Sequence, residues 1–157
     1  MVAVRVRRAR ACDLEAVLDL WQELMDVHAR LDRRLQHTSD ARERFRPTLE
    51  QWLAHPSTVV LVAECGERMV GYLIARINEN PPMLVPQRYG HVSDICVAPD
   101  QRRSGAGRRL FSAARVWFRR KGIDVVQLNI AAANPTAQRF WREMGFQDYM
   151  HRMWLDL

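Results

Sequence analysis

The stretch "VAPDQRRSGAGRRLF", Val97 to Phe111, sets four arginines around two glycines and then enters a helical pattern. A glycine turn running into a helix offers unpaired N–H groups and the positive end of the helix dipole, so an anion is its natural ligand. A phosphate loop of the form G-x-x-x-x-G-K-[ST] is absent from the chain. A dinucleotide fingerprint needs G-x-G-x-x-G directly after a strand. Here Leu110 stands at the third glycine and "APDQRRS" separates Val97 from Gly105. Both of those sites are excluded, and the surroundings must identify the anion.

Working outward, "VAVRVRRA" alternates apolar and basic residues as a first strand does, and "CDLEAVLDLWQELMDVHARL" follows as a helix with Asp13 as its N-cap. Leu14, Val17, Leu18, Trp21, Leu24 and Met25 form the apolar stripe of that helix. A second helix is expected from about Ser39 to His55, with Pro47 splitting it into two short pieces. "STVVLVAEC", "GERMVGYLIARINEN" and "YGHVSDICVAP" read as an antiparallel meander whose first turn, Cys65 to Glu67, uses Gly66. The proline-rich "PPMLVPQR" interrupts the meander before its third strand.

Downstream lie a helix from about Ser104 to Lys121, the strand "DVVQLNI", a helix from Asn134 to Met144, and a final strand "FQDYMHRMWLDL". Gly122 and Gly145 stop the two helices. The order is βααβββαβαβ, an α+β (mixed α/β) domain spanning residues 1–157, in which the fourth and fifth strands run parallel.

The 157 residues suit one domain with a real core, and 48% hydrophobic with 27% charged residues is ordinary for a folded chain. No run approaches the roughly 20 apolar residues of a membrane span, and "MVAVRVRRARACDL" lacks the apolar centre of a signal peptide. A cytoplasmic protein is expected. Cys12, Cys65 and Cys96 have no C-x-x-C partner, so neither a disulfide framework nor a metal site is expected. The charge of +6 comes almost wholly from arginine, Lys121 being the lone lysine. Because the arginines are spread along the chain and no nucleic-acid motif accompanies them, no nucleic-acid partner is expected.

The run V-x-P-x-x-R-R-x-G-x-G, a helix, a strand and then "NPTAQRFWREMGF" at the matching distance resembles the GCN5-related N-acetyltransferase (GNAT) superfamily. The resemblance extends through the whole element order. It implies a central mixed sheet of six to seven strands flanked by about four helices, binding acetyl-CoA as cosubstrate. It assigns the backbone of Ile95, Cys96 and Val97 to the pantetheine arm. Around the pyrophosphate it sets Arg102, Arg103, Ser104, Gly105, Ala106, Gly107 and Arg108. Elementary physics agrees, since glycines admit a bulky diphosphate and guanidinium groups compensate its charge. Asn134, before Pro135, is a helix N-cap and by resemblance also touches the pantetheine arm. A tyrosine acid is common in the family where Trp141 stands; an indole N–H is no acid near neutral pH, which leaves Trp141 to pack or to wall the cofactor tunnel. Tyr149 and Tyr72 are alternative hydroxyls.

Acyl transfer to an amine requires the neutral amine, and for a lysine-like group at pH 7 deprotonation costs about 4.6 kcal/mol. A base in "GHVSDICV" would help: His91, Ser93 and Asp94 precede the expected acetyl position. On a regular strand His91 and Ser93 share the face of Ile95 and Val97, and Asp94 points away unless a bulge intervenes. By resemblance a bulge is usual here, and both Asp94 and His91 are candidate catalytic bases. Their bland alternatives are a surface carboxylate and a half-buried polar residue. Glu64 and Glu79 are weaker candidates, and His28 and Asp32 fall where the family places its variable substrate loop.

Two functions follow from the resemblance. One is direct transfer from the thioester to a small-molecule or protein amine, and the other is an acyl-CoA-binding module without turnover. A homodimer, through the last strand or the proline-rich loop, is a candidate assembly.

Overall fold

The computed structural model describes residues 3–157. Five strands form one sheet in the order β1-β2-β3-β4-β5, with β1 Arg5–Arg8, β2 Thr58–Cys65, β3 Arg68–Glu79, β4 Arg88–Val97 and β5 Val126–Leu128. The first four pair antiparallel and β4–β5 is parallel, as the connections require: β2 and β3 need only a tight turn through Gly66, while β4 reaches β5 through a helix. The N-terminal strand begins at Arg5, and Val2, at its expected start, lies outside the described residues.

Four α-helices sandwich the sheet: α1 Leu14–Leu31, α2 Ala41–Ala54, α3 Ala106–Arg120 and α4 Pro135–Glu143. None is long and apolar enough to cross a membrane. Alternate residues of the central strands feed two cores. Val60, Val62, Tyr72, Ile74 and Cys96 pack with α1 and α2, and Val59, Leu61, Leu73, Ala75 and Val92 pack with α3 and Trp141. Burial on both faces is why β2 and the middle of β3 read as unbroken apolar runs. The α3 layer fits closely, because a Cβ on Gly90 would sit 2.5 Å from the Phe118 ring.

Three expectations need correction. The sheet has five strands among the described residues rather than six to seven, because residues 146–157 form none. Met153, Trp154 and Leu155 are consecutive and exposed, so this tail lacks the period of two that would give it a buried face. Asp156 instead bonds Arg33 and the Trp154 indole. Second, α2 runs unbroken through Pro47; Pro47 and Glu43 face solvent, so water can take the carbonyl that the missing amide leaves free. Third, Asp13 makes no cap bond to α1. Its carboxylate accepts from the Arg10 amide at 2.6 Å and from Arg7 at 2.7 Å, tying β1 to the helix start. Arg7 holds the Asp13 carboxyl below its ordinary pKa.

Candidate active site

β4 contains a bulge. Its partners on β3 run from His91↔Arg76 and Val92↔Ala75 to Asp94↔Ile74, Ile95↔Leu73, Cys96↔Tyr72 and Val97↔Gly71, leaving Ser93 as the extra residue. One inserted residue changes the phase of everything upstream of it. The expectation that His91 shares a face with Ile95 and Val97 is therefore corrected. His91 stands with Asp94 and Cys96 on the α1–α2 face, and Val92, Ile95 and Val97 stand on the α3 face.

The same bulge coincides with the end of the parallel ladder. β4 and β5 pair only at Gly90↔Val126, His91↔Gln127 and Val92↔Leu128, after which the β4 edge is unpaired. The Ala98 amide donates to Val70 O at 2.9 Å, toward β3. Strand alternation then turns the N–H and C=O of Val97 outward to the open edge. The Arg102 Nε donates to that Val97 carbonyl at 3.2 Å.

Beyond Val97 the chain makes a short 3-10 turn, Pro99–Gln101, fastened by the Ser104 hydroxyl donating to Gln101 O at 2.7 Å. Arg103 has φ 62 and Gly105 φ 87, so two positions within three residues adopt the left-handed region. For an arginine that conformation is strained, a cost that concentrates at sites where backbone amides are aimed at a ligand. The first bond into α3 is donated by Arg109 to Gly105 O, so the amides of Ala106, Gly107 and Arg108 point out of the helix end. Arg102, Arg103, Ser104 and Gly105 are exposed around them, but Ala106 is buried and offers only its backbone. Arg108 is exposed, with Glu143 at 3.7 Å. Backbone donors, a dipole and exposed guanidinium groups together suit a diphosphate.

On the far side of this groove, Asn134 Oδ1 accepts from the Ala137 amide at 3.0 Å and caps α4. Trp141 is buried, edge-on to Phe111 at 5.2 Å and to Phe146 at 5.2 Å, and adjoins Phe140. It serves as the hub of an aromatic cluster between α3 and α4.

The α1–α2 face is chemically different. Asp94 is half-buried with no hydrogen bond or ion pair among the described residues, and burial pushes its carboxyl up to about 6. Tyr72, its diagonal neighbour on β3, is fully buried with an unpartnered hydroxyl, and the Ser93 hydroxyl is likewise unpartnered. Burial pushes the Tyr72 hydroxyl well above its usual pKa, with the nearby Asp94 carboxylate adding. Burial raises the Cys96 thiol to about 11, which keeps it a packed neutral thiol. The His91 pKa is lowered by burial and then by Arg76, whose guanidinium lies 4.6 Å from the centre of the Trp52 ring. Three polar groups without partners inside one small region are costly and mark a place where a polar ligand completes the set.

Other sequence candidates lie elsewhere. Glu64 is bonded by Arg7, Glu79 ends β3 opposite Arg88, and Tyr149 is 77% exposed in the tail. Arg76 went unnoticed in the sequence, where an arginine at the end of an apolar strand looks like an ordinary exit residue.

The sequence profile of the Acetyltransferase (GNAT) family matches residues 18–146. The uncharacterized N-acetyltransferase YhfO of Bacillus subtilis is 23% identical over 92% of this chain and 91% of that protein. Three further curated relatives are longer, the chain spanning 23% to 45% of their lengths. Among solved structures, a tetramutant of the BH1408 protein from Bacillus halodurans superposes with a TM-score of 0.84 at 22% identity, covering 98% of this chain and 99% of that one. The aminoglycoside N-acetyltransferase AAC(6')-Iy in complex with CoA gives a TM-score of 0.79 at 18% identity, over 99% and 95%. With a parallel ladder that ends at Val92, a positive-φ glycine turn before α3 and this profile match over most of its length, the chain belongs to the GNAT family of N-acetyltransferases.

Proposed function

We propose that the protein moves an acetyl group from acetyl-CoA directly to a primary amine, with the cosubstrate along the open edge of β4 and the amine entering from the α1–α2 face. The observation that carries this reading is the end of β4, where the Val97 amide turns to the open edge and the unpartnered Asp94 carboxyl, three residues earlier, stands on the α1–α2 face, to which the Ser93 bulge also brings His91. The donor set fits the cosubstrate. The Val97 N–H would hold the thioester oxygen as charge develops on it. The pantetheine arm would lie along Ile95 to Val97 and Asn134, and the loop from Arg102 to Arg108 would hold the pyrophosphate. The arm would displace the Arg102 side chain from the Val97 carbonyl.

Asp94 is the base. With its pKa near 6 the carboxyl is ionised at neutral pH, yet more basic than an exposed aspartate, and it has no cation neutralising it. The ammonium gives one proton to Asp94, directly or through one water, the neutral nitrogen attacks the thioester carbon, the carbon–sulfur bond breaks with its electron pair leaving on sulfur, and the second nitrogen proton passes to that thiolate or to water. His91, on the same face and neutral at pH 7, orients the amine or its water. Trp141 supplies no proton to the departing sulfur. A thiol of pKa about 8.5 leaves acceptably without one. An amine acceptor accords with the neighbouring aminoglycoside N-acetyltransferases, whose likeness extends to fold.

Calorimetric titration with acetyl-CoA, followed by thiol release across a panel of polyamines, aminoglycosides, amino acids and lysine peptides, tests the reading. Saturable binding with thiol release on at least one amine is expected, and absence of binding at millimolar cosubstrate would sink it. The buried Trp141 at the acid's position favours one rival, a module that binds acyl-CoA without turnover. Binding with no release on any amine would establish that rival.

A further inference from the structure

The outer face of α3 carries a charge pattern that cofactor binding does not use up. Seven α3 positions are exposed, at 108, 109, 112, 115, 116, 119 and 120, and five of them are arginine. Arg108, Arg115 and Arg119 recur at helical intervals and make one line about 17 Å long, and Arg109 and Arg120 make a second line beside it. Among the described residues, only Arg108 of these five has a carboxylate partner, Glu143. Arg33, Arg34, Arg42, Arg44 and Arg46, around α2, all bond carboxylates. Residues 102–121 hold eight of the chain's 24 Lys and Arg residues and none of its 18 Asp and Glu residues, so the rest of the molecule is acidic on balance. In sequence the arginines look dispersed, but the excess positive charge resides in one loop and one helix.

We propose that this face docks the phosphate backbone of a nucleic-acid duplex, independently of the acetyl-transfer reading. Guanidinium groups grip phosphate bidentately, and two adjacent lines of them match a rod of phosphates. No exposed α3 position is aromatic, so a stacking platform for single strands is missing. Val116 is the one large apolar side chain exposed on the helix, too little to insert into a lipid surface. The helix dipole rewards Arg119, Arg120 and Lys121 at its C-terminal end, but it does not account for the absence of acidic residues along the whole stripe. Binding is through charge alone and independent of base sequence.

Fluorescence anisotropy of the full chain with labelled duplexes of about 20 base pairs provides the test. With phosphate contacts from Arg109, Arg115, Arg119 and Arg120, the four that the cofactor leaves free, affinity falls about 150-fold between roughly 50 and 200 mM salt, equally for unrelated base sequences. The variant R115Q/R119Q/R120Q, shown by circular dichroism and its melting temperature to be folded, flattens the logarithmic salt slope by about 3. The reversal R115E/R119E/R120E abolishes binding. No duplex binding by the wild-type chain at low salt overturns the proposal, as does an unchanged slope in the glutamine variant. Tighter binding to polyglutamate or to anionic phospholipid vesicles than to the duplex also overturns it, in favour of an acidic protein or a membrane.

Discussion

The two sides of β4 are built on opposite economies. At the open edge the site is made of backbone donors: an outward Val97 amide, a turn of alternating handedness and a helix end, with the Arg102, Arg103 and Arg108 side chains exposed around them. On the α1–α2 side it is made of side chains, and Asp94, Tyr72 and Ser93 are left without partners. Backbone donors are already oriented when the chain folds. Buried unpartnered side chains lower stability until a ligand meets them. The contrast teaches that, under the proposed function, cofactor recognition would be inherited from the fold and acceptor chemistry would be held against it.

The largest expected effect breaks the acceptor side. Asp94→Asn should lower kcat/KM by about 100- to 10,000-fold, the range for a lost general base. It should also stabilise the protein. A carboxyl whose pKa is raised to about 6 in the folded state contributes stability that is fully present below its ordinary pKa of 3.8 and lost as pH rises through 6. The neutral amide escapes that loss, gaining on the order of 2 kcal/mol at pH 7 and several degrees in melting temperature. A variant that is both slower and less stable would mean that Asp94 is structural. In the wild type, kcat/KM should climb with pH through about 6 as this carboxyl ionises, and that limb should vanish in the asparagine variant; a limb that persists would assign it to another group.

Next comes the cofactor side. Gly105→Glu sets a side chain at φ 87 and a negative charge at the helix end, and should weaken acetyl-CoA about 10- to 100-fold in calorimetry. A Cβ there meets nothing within 4 Å, but a side chain at φ 87 is strained, so about 1 kcal/mol of stability should also be lost and the binding is read at a temperature where the variant is fully folded. An unchanged dissociation constant would remove this loop from the cofactor site. The smallest effect separates packing from chemistry: Gly90→Ala drives a methyl group into the Phe118 ring and should cost about 1–3 kcal/mol of stability, with the acetyl-CoA affinity of the folded fraction unaltered. A change in that affinity would tie the α3 packing to the site.

The backbone side was legible in the sequence because its signals are residue types: Gly66 at a two-residue turn, Gly105 and Gly107 in the loop, Asn134 before Pro135. The side-chain side was legible only as a set of names. Asp94 and His91 could be picked out, but a bulge centred on serine has no composition of its own, so the face of His91 came out reversed. Asp13 misled because a carboxylate before a helix is equally good at holding an arginine and a preceding amide. The tail misled because its apolar residues are adjacent as often as they alternate.

The Ser93 bulge acts as a parity bit for the site. Every residue of β4 before it takes its side of the sheet from the count of residues rather than from its own chemistry. Substitutions at 93 keep the parity, and a single-residue deletion would exchange the sides of His91 and Val92 while leaving Asp94 to Val97 where they are. Length in this stretch is thus a sharper constraint than identity, and grafts of other acceptor sites onto this strand have to conserve the count before they choose the residues.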